Sequence, residues 1–325
     1  MCRLEAVRRE PRPSVPLCLE VNTVFRIVSF VLLLLVTSSA SAVEFESRFD
    51  RTPDGVWAGP EYWANPLQDW RIADGKLECL TPAAGRNVHL LTYQLTPQSE
   101  ARIELVIDSL DRAHPATCGL AFGIQGKLDD YRYSAIWGKG VVAGITTSGK
   151  LVLGEPSSDV ELSFPLKLVL DLIPNGNGTH RAVLTATDAN GTSLGESTLV
   201  VPSARIRGNV AIVYHGKPKR ALPGEPVAAF RRFAVRGTNL AGGPQQNFGP
   251  ILWTQYTLDE GVLKLQAQLA PTEGQGATSA VLRYGEGEHA AEVRAEVEPL
   301  SRTVLFRVEP WDASRDTPYS VHYTW

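Results

Sequence analysis

Short runs in which apolar and polar residues alternate recur along most of the chain. Typical runs are ARIELVIDSL (101–110), CGLAFGI (118–124), LKLVLDLI (166–173) and GNVAIVYHG (208–216). Alternation places every second side chain on the same face of a β-strand, so that one face packs on a core while the other meets solvent. Because no segment shows the period of a helix of ten or more residues, the pattern predicts an all-β protein.

Turn signals divide these runs into two groups. Asn190-Gly191 is a strong hairpin signal inside the first group, and the number and spacing of its strands favour a two-sheet sandwich or jelly roll. A Gly-rich polar stretch without periodicity then predicts a linker. The second group is shorter and is typical of an immunoglobulin-like or fibronectin type III-like sandwich. The predicted boundaries are 43–237 for the jelly roll, 238–247 for the linker and 248–325 for the second sandwich.

The N-terminus carries the pattern of a secretory signal peptide. An arginine-rich segment precedes the apolar run IVSFVLLLLV (27–36), and the small-residue stretch TSSASA follows it. The apolar run is shorter than the roughly 20 residues that a membrane-spanning helix needs, which favours cleavage over anchoring. We therefore predict a signal peptide at 1–42, cut after Ala42, and export to the periplasm or the extracellular space.

Composition and charge narrow the class of partner. Hydrophobic residues make up 43% of the chain and charged residues 21%, as in an ordinary globular protein. The formal net charge of -3 lacks the basic excess of nucleic-acid-binding proteins. We therefore expect no nucleic-acid partner.

Cys79 and Cys118 are the cysteines that follow the predicted cleavage site. Export permits a disulfide between them. The alternative is a pair of buried free thiols that act as small apolar residues. Both possibilities stay open at this stage, because the distance and direction of the two side chains decide between them.

Local motifs for catalysis or metal binding are absent from the sequence. The histidines are spread singly, and no metal-ligand spacing, nucleophile elbow or phosphate-binding loop occurs. Asp129 and Asp130 are adjacent, and neighbours on a strand would point to opposite faces, so a solvated turn is the favoured interpretation. The sequence therefore predicts no catalytic residue, no metal site and no cofactor in this chain.

Aromatic residues are the remaining candidates for binding, because exposed rings stack on sugars. They crowd the stretch GVWAGPEYWANPLQDW (55–70). Alternation in DWRIADGKLEC makes Trp70, Ile72 and Leu77 inward-facing anchors of a core. The candidate sugar-binding residues are Tyr62, Trp63, Trp137, Tyr214 and His215.

Several longer phrases resemble a known family. They are YWANPLQDWRIADGKLEC, GRNVHLLTYQL, GIQGKLDDYRYSAIWGKGVVAGITTSGKL, FGPILWTQYTLDEGVLKLQAQL and WDASRDTPYSVHYTW. They look like the N-terminal, non-catalytic half of secreted bacterial alkaline phosphatase D-like metallophosphoesterase proteins. The resemblance spans roughly residues 44–325. It implies a concanavalin A-like, laminin G-like jelly roll followed by a fibronectin type III-like domain.

The resemblance also implies a function. Catalysis in that family rests on a two-metal phosphoesterase centre whose motifs do not occur here, so the divalent metals and the phosphatase domain are expected outside this sequence. The chain would then be an exported accessory region. One alternative is a stand-alone module that binds cell-envelope or extracellular polysaccharide. A further alternative is a jelly-roll glycoside hydrolase, which needs two facing carboxylates.

Overall fold

The computed structural model of the chain describes residues 43–217, 225–272 and 276–325. The predicted signal peptide at 1–42 lies outside them. The regular secondary structure of the described residues is almost entirely antiparallel β-strand, which confirms the predicted all-β class. Within these ranges, no helix has the length and apolarity needed to cross a membrane.

The strands of the first sandwich follow one another closely along the chain, with two short helices between them. The strands are β1 (Val43–Ser47), β2 (Tyr62–Asn65), β3 (Trp70–Ala73), β4 (Lys76–Cys79), β5 (Arg86–Leu90), β6 (Tyr93–Gln94), β7 (Glu100–Leu110), β8 (Ala116–Gln125), β9 (Lys139–Thr146), β10 (Lys150–Leu153), β11 (Glu155–Asp159), β12 (Leu166–Pro174), β13 (Thr179–Thr187), β14 (Ser193–Pro202), β15 (Asn209–Gly216), β16 (Ala228–Thr238) and β17 (Ala241–Gly242). The helices are α1 (Tyr131–Trp137) and α2 (Ser203–Ile206), and a 3-10 turn spans Leu67–Asp69.

Two sheets form the sandwich in the described part of the chain. One has eight strands in the order β14-β13-β12-β7-β16-β4-β3, with β1 also paired to β16. The other has seven strands in the order β11-β10-β9-β8-β15-β5-β2. Trp70, Ile72 and Leu77 are buried in the core between the sheets, as their alternation predicts.

Two local signals of the sequence lead to different outcomes. The hairpin predicted at Asn190-Gly191 joins β13 to β14, and Gly191 has the positive φ of +83° that this turn requires. Helix α1 was not predicted. It forms because the Asp130 side chain accepts hydrogen bonds from the backbone N–H groups of Arg132 and Tyr133, at 2.8 and 2.9 Å, and so caps the helix.

The second sandwich is built from six strands in the described residues. They are β18 (Ile251–Asp259), β19 (Val262–Leu269), β20 (Ser279–Tyr284), β21 (Ala291–Glu298), β22 (Thr303–Val308) and β23 (Tyr319–His322), with a 3-10 turn at Gly287–His289. Their order is β18-β19-β22-β21-β20-β23. Most of β21 pairs with β20, and only its last two residues pair with β22, so β21 passes from one half of the sheet to the other. The two halves enclose a core in which Leu265, Leu282 and Phe306 are buried.

The segment predicted as a linker, 238–247, is bound to the first sandwich. Strand β17 pairs with β6, and the Gly243 N–H donates to the Thr92 carbonyl at 2.7 Å. The hydroxyls of Thr96 and Ser99 both donate to the Asn239 carbonyl at 2.8 Å. These bonds hold the connection against the sheet edge.

An aromatic seam joins the two sandwiches. It consists of two ring pairs, Trp63 with Phe248 and Trp57 with Trp325, each with ring centroids 4.7 Å apart in an edge-to-face arrangement. The Phe248 N–H also donates to the Pro60 carbonyl at 2.8 Å. Edge-to-face pairs add to the stabilisation that comes from burying the rings, so the seam fixes the start of the second sandwich to the first.

Candidate functional site

Tyr62 and Tyr214 do not present their rings to a ligand. Tyr62 is 3% exposed and Tyr214 is fully buried, and both side chains point into the core between the sheets. Burial raises the pKa of both phenols, and the Tyr214 hydroxyl has no hydrogen-bond partner among the described residues. Since a stacking platform must be exposed, the prediction of sugar contacts at these two tyrosines is wrong.

Trp63 is not a free platform either. Its ring packs against Phe248 in the aromatic seam. Phe248 lies 185 positions further along the chain, so no local pattern could reveal this contact. The structure thus gives Trp63 a packing role, while part of its ring stays exposed, and a sugar contact there stays a prediction.

Trp137 is the predicted aromatic residue that remains well exposed, at 67%. It ends helix α1, next to Ile136, which is 46% exposed. Helix α1 connects the end of β8 to the start of β9. Stacking of a sugar on Trp137 stays a prediction.

Cys79 and Cys118 are free thiols, both fully buried, on β4 and β8 of opposite sheets. Burial raises the pKa of Cys79 to about 12 and raises that of Cys118 as well. The Cys79 thiol donates a weak hydrogen bond to the Thr81 carbonyl, at a sulfur–oxygen distance of 3.7 Å. The predicted disulfide is therefore not formed, and the alternative of two small apolar residues holds.

His215 is the predicted residue that lies in a cleft. Register places His215 of β15 beside Thr117 of β8, and Thr117 beside Thr146 of β9. Cross-strand neighbours share a face, so the three side chains form one polar row across three strands. The row opens onto a cleft of about 510 Å³ that is also lined by Arg112, Ser148 and Lys217. We call it the row cleft.

Alternation along β15 explains why His215 faces outward. Ile212 and Tyr214 belong to the main core, whereas Ala211 and Val213 form a small buried cluster on the other side of the seven-stranded sheet. His215 continues this outer series at the end of the strand. Tyr214 and His215 were both predicted to contact sugar, but adjacent strand residues face opposite sides of the sheet, so only His215 faces outward.

Hydrogen bonding fixes the role of the His215 ring. The Gly85 N–H donates to Nδ1 of His215 at 3.1 Å. Burial lowers the pKa of His215, which favours the neutral ring near pH 7. A neutral imidazole with an accepting Nδ1 carries its proton on Nε2, so His215 is a hydrogen-bond donor.

Sequence patterns did not single out the other lining residues. Thr117 and Thr146 occur in ordinary strands, and Arg112 and Lys217 lie in connections beyond strand ends. Strand register brings Thr117 and Thr146 to His215, whereas Lys217 follows His215 by two positions in the chain. The alternation of β15 was a signal that could have shown that His215 faces away from the core. The residues beside His215 on neighbouring strands could be identified only from the sheet topology.

The row cleft and Trp137 are far apart. Thr117 is near the start of β8, while α1 follows its end at Gln125. A ten-residue strand spans about 33 Å. The structure therefore does not bring His215 and Trp137, which were both predicted to contact sugar, into one site.

Acidic residues near α1 serve the fold. Asp130 caps α1, and Asp129 forms an ion pair with Arg207. The two adjacent aspartates therefore have separate structural partners. In the described ranges, no group of three or more His, Cys, Asp or Glu residues is placed to hold a metal ion.

No protein-family model and no curated protein matches the sequence. Among solved structures, the chain is similar to a protein of unknown function, SO2946 from Shewanella oneidensis MR-1, with 11% identity and a TM-score of 0.36, covering 62% of this chain and 88% of that one. It is also similar to a mutant alginate lyase, Aly36B, solved with an alginate trisaccharide, with 12% identity and a TM-score of 0.31, covering 60% of this chain and 97% of that one. These values are too low to transfer an activity or a ligand.

Proposed function

We propose that this chain is a carbohydrate-binding accessory module that holds its ligand in the row cleft. The observation that supports the proposal is the polar row of His215, Thr117 and Thr146 on one exposed side of the seven-stranded sheet. Sugars are bound through several directed hydrogen bonds to their hydroxyls, and such bonds require donors and acceptors that the fold holds in place.

The dimensions of the cleft agree with this ligand class. Three neighbouring strands span about 10 Å, because adjacent strands lie about 4.8 Å apart. An open cleft of this width accommodates an extended chain of sugar rings. Two groups are available to bind the ligand, the Nε2–H of His215 and the hydroxyl of Thr117. The Thr117 hydroxyl forms no hydrogen bond within the described part of the chain.

Binding by the purified chain tests the proposal. A panel of soluble neutral and acidic polysaccharides is measured by affinity electrophoresis and then by calorimetry. For the saccharide that binds, a variant carrying both His215→Ala and Thr117→Val should lose about tenfold or more in affinity, since two hydrogen bonds are removed. Thr198→Val, an exposed threonine on strand β14, is the matched control and should bind normally.

Two results would contradict the proposal. One is a panel in which no saccharide binds. The other is loss of binding in Trp137→Ala with full binding in the His215 and Thr117 variant, which would move the site to α1.

The relation to alkaline phosphatase D-like hydrolases stays a prediction, as does export. We propose that the module serves beside such a hydrolase by attaching it to polysaccharide. Mass measurement of the native protein from culture medium and cell fractions would test both points, because it reports the cleavage site and the full length of the product.

A further inference from the structure

We propose that the row cleft selects an anionic saccharide, one that carries carboxylate or sulfate groups. This inference rests on the proposed function and adds the ligand class. The inference is based on two basic residues that line the cleft, Arg112 and Lys217. Neither side chain has an ion-pair partner among the described residues.

Several basic side chains of the first sandwich are engaged by acids, in contrast to Arg112 and Lys217. Arg232 binds Glu104 and Glu46, and Lys167 binds Glu104 at 3.0 Å. Arg112 and Lys217 are both exposed and form neither an ion pair nor a side-chain hydrogen bond in the described ranges. Two like charges that line the same cleft repel each other, so an anion placed between them relieves repulsion as well as forming contacts.

The acids near the cleft do not neutralise these charges. Asp111 precedes Arg112, but its carboxylate accepts hydrogen bonds from the Ala113 N–H and from the His114 ring. Asp159, across from the end of the row, binds Lys150 at 2.9 Å. No acid is among the described residues that line the cleft, so the charges of its lining are positive while the chain as a whole is slightly acidic.

The neutral donors of the row suit the same ligand. His215 offers Nε2–H, because its Nδ1 accepts from Gly85, and Thr117 offers a hydroxyl. Arg112 can donate to a carboxylate or sulfate through two N–H groups at once. A repeating acidic sugar would place its charge on Arg112 or Lys217 and its hydroxyls on the row.

The experiment compares matched ligands on the purified full chain. The probes are a galacturonic acid oligosaccharide, the same oligosaccharide after its carboxyl groups are reduced to alcohols, and a sulfated form of the reduced chain. We expect the acid to bind about tenfold tighter than the reduced chain at 50 mM salt, with the difference shrinking at 500 mM because salt screens exposed charges. Tighter binding of either the carboxylated or the sulfated form supports the proposal and identifies the anionic group.

Variants then locate the effect. Arg112→Gln and Lys217→Gln should each weaken binding of the favoured acidic ligand about five- to tenfold and leave binding of the reduced chain unchanged. Arg181→Gln, on the outer eight-stranded sheet, and Lys264→Gln, on the second sandwich, remove the same charges elsewhere and should have no effect.

The outcomes separate this inference from the proposed function. Equal binding of charged and reduced chains overturns the anion selectivity but leaves carbohydrate binding intact. Acid-selective binding that both cleft variants retain also overturns it, since the charge is then read elsewhere. Failure of all three probes and of the wider saccharide panel overturns the proposed function itself.

Discussion

Two groups of charged side chains in the first sandwich differ in whether their charges have partners. On the outer face of the eight-stranded sheet, Glu46 and Glu104 are held by Arg232, Lys167 and their neighbours in a continuous network. In the row cleft of the seven-stranded sheet, Arg112 and Lys217 have no recorded partner in the described residues. Paired charges stabilise a fold, whereas unpaired charges are available to a ligand. The comparison therefore separates residues that hold the molecule together from residues that we propose bind a ligand.

Aromatic residues also divide into those that pack against a partner and those that are exposed, and the largest expected change in stability comes from a packed one. Trp63→Ala removes the ring that packs on Phe248, so the free energy of unfolding should fall by about 3 kcal/mol. Trp137→Ala is the control, because that ring is exposed, and it should change the free energy by less than about 0.5 kcal/mol. Urea unfolding monitored by circular dichroism measures both. Equal small effects would show that the seam contributes little to stability.

Glu104→Gln tests the paired face directly. The carboxylate is buried and pairs with four cations among the described residues, of which Arg232 lies at 2.5 Å and Lys167 at 3.0 Å. Removing its charge leaves all four facing a neutral amide. We expect a loss of about 2 kcal/mol, between the values for exposed and for fully buried ion pairs. Glu309→Gln, an exposed acid paired with Arg307 in the second sandwich, is the control and should change stability by less than about 0.5 kcal/mol. Similar values for both variants would remove the distinction between the network and an isolated surface pair.

Acid should weaken the same face. Hydrogen bonds from Arg232 and Arg48 lower the pKa of Glu46 to about 2. Burial opposes ionisation of Glu104, but hydrogen bonds from Lys167 and Arg232 outweigh it and lower the pKa of that carboxyl to about 2. In the unfolded chain both acids take up protons near pH 4.3. Their stabilising contribution is therefore complete above about pH 5 and is lost as the pH falls towards about 2.

Urea midpoints measured between pH 7 and pH 2.5 check this dependence. The Glu104→Gln variant should lose less stability over that range than the native chain, because one of the two depressed carboxyls is gone. Identical pH slopes in the two proteins would show that the network does not set the acid sensitivity.

Sequence patterns predicted more of the fold than of the candidate site. Alternation in ARIELVIDSL and the Asn190-Gly191 turn predicted β7 and the β13–β14 hairpin, because strand period and turn chemistry are local properties. Helix α1 was missed, since a seven-residue helix shows little periodicity and its cap at Asp130 lies in a polar stretch that also suits a turn. Short elements of this kind are decided by individual hydrogen bonds, which a pattern does not record.

Site residues were harder to predict because their partners are distant in the chain. The contact of Trp63 with Phe248 joins residues that are far apart in the chain, and Tyr214 is a core residue because the eight-stranded sheet packs over it. His215 was predicted and lies in the row cleft, but Thr117 joins it only through the strand order of the seven-stranded sheet. Sequence alternation fixes which side a residue faces, and topology alone fixes what it meets there.

The smallest expected effect is on the stability of the cleft variants. Arg112→Gln and Lys217→Gln remove charges that have no partner in the described residues, so neither should destabilise the fold. Each should leave the free energy of unfolding unchanged or raise it by about 0.3 kcal/mol at low salt, because like charges in one cleft repel. A residue kept for binding often costs stability, and in this case the cost is the repulsion between Arg112 and Lys217. Thermal unfolding at 20 and 500 mM salt measures the effect, which should vanish at the higher concentration as the charges are screened. A loss of more than about 1 kcal/mol in either variant would mean that the cation is structurally paired, and the row cleft would then resemble the outer face of the eight-stranded sheet.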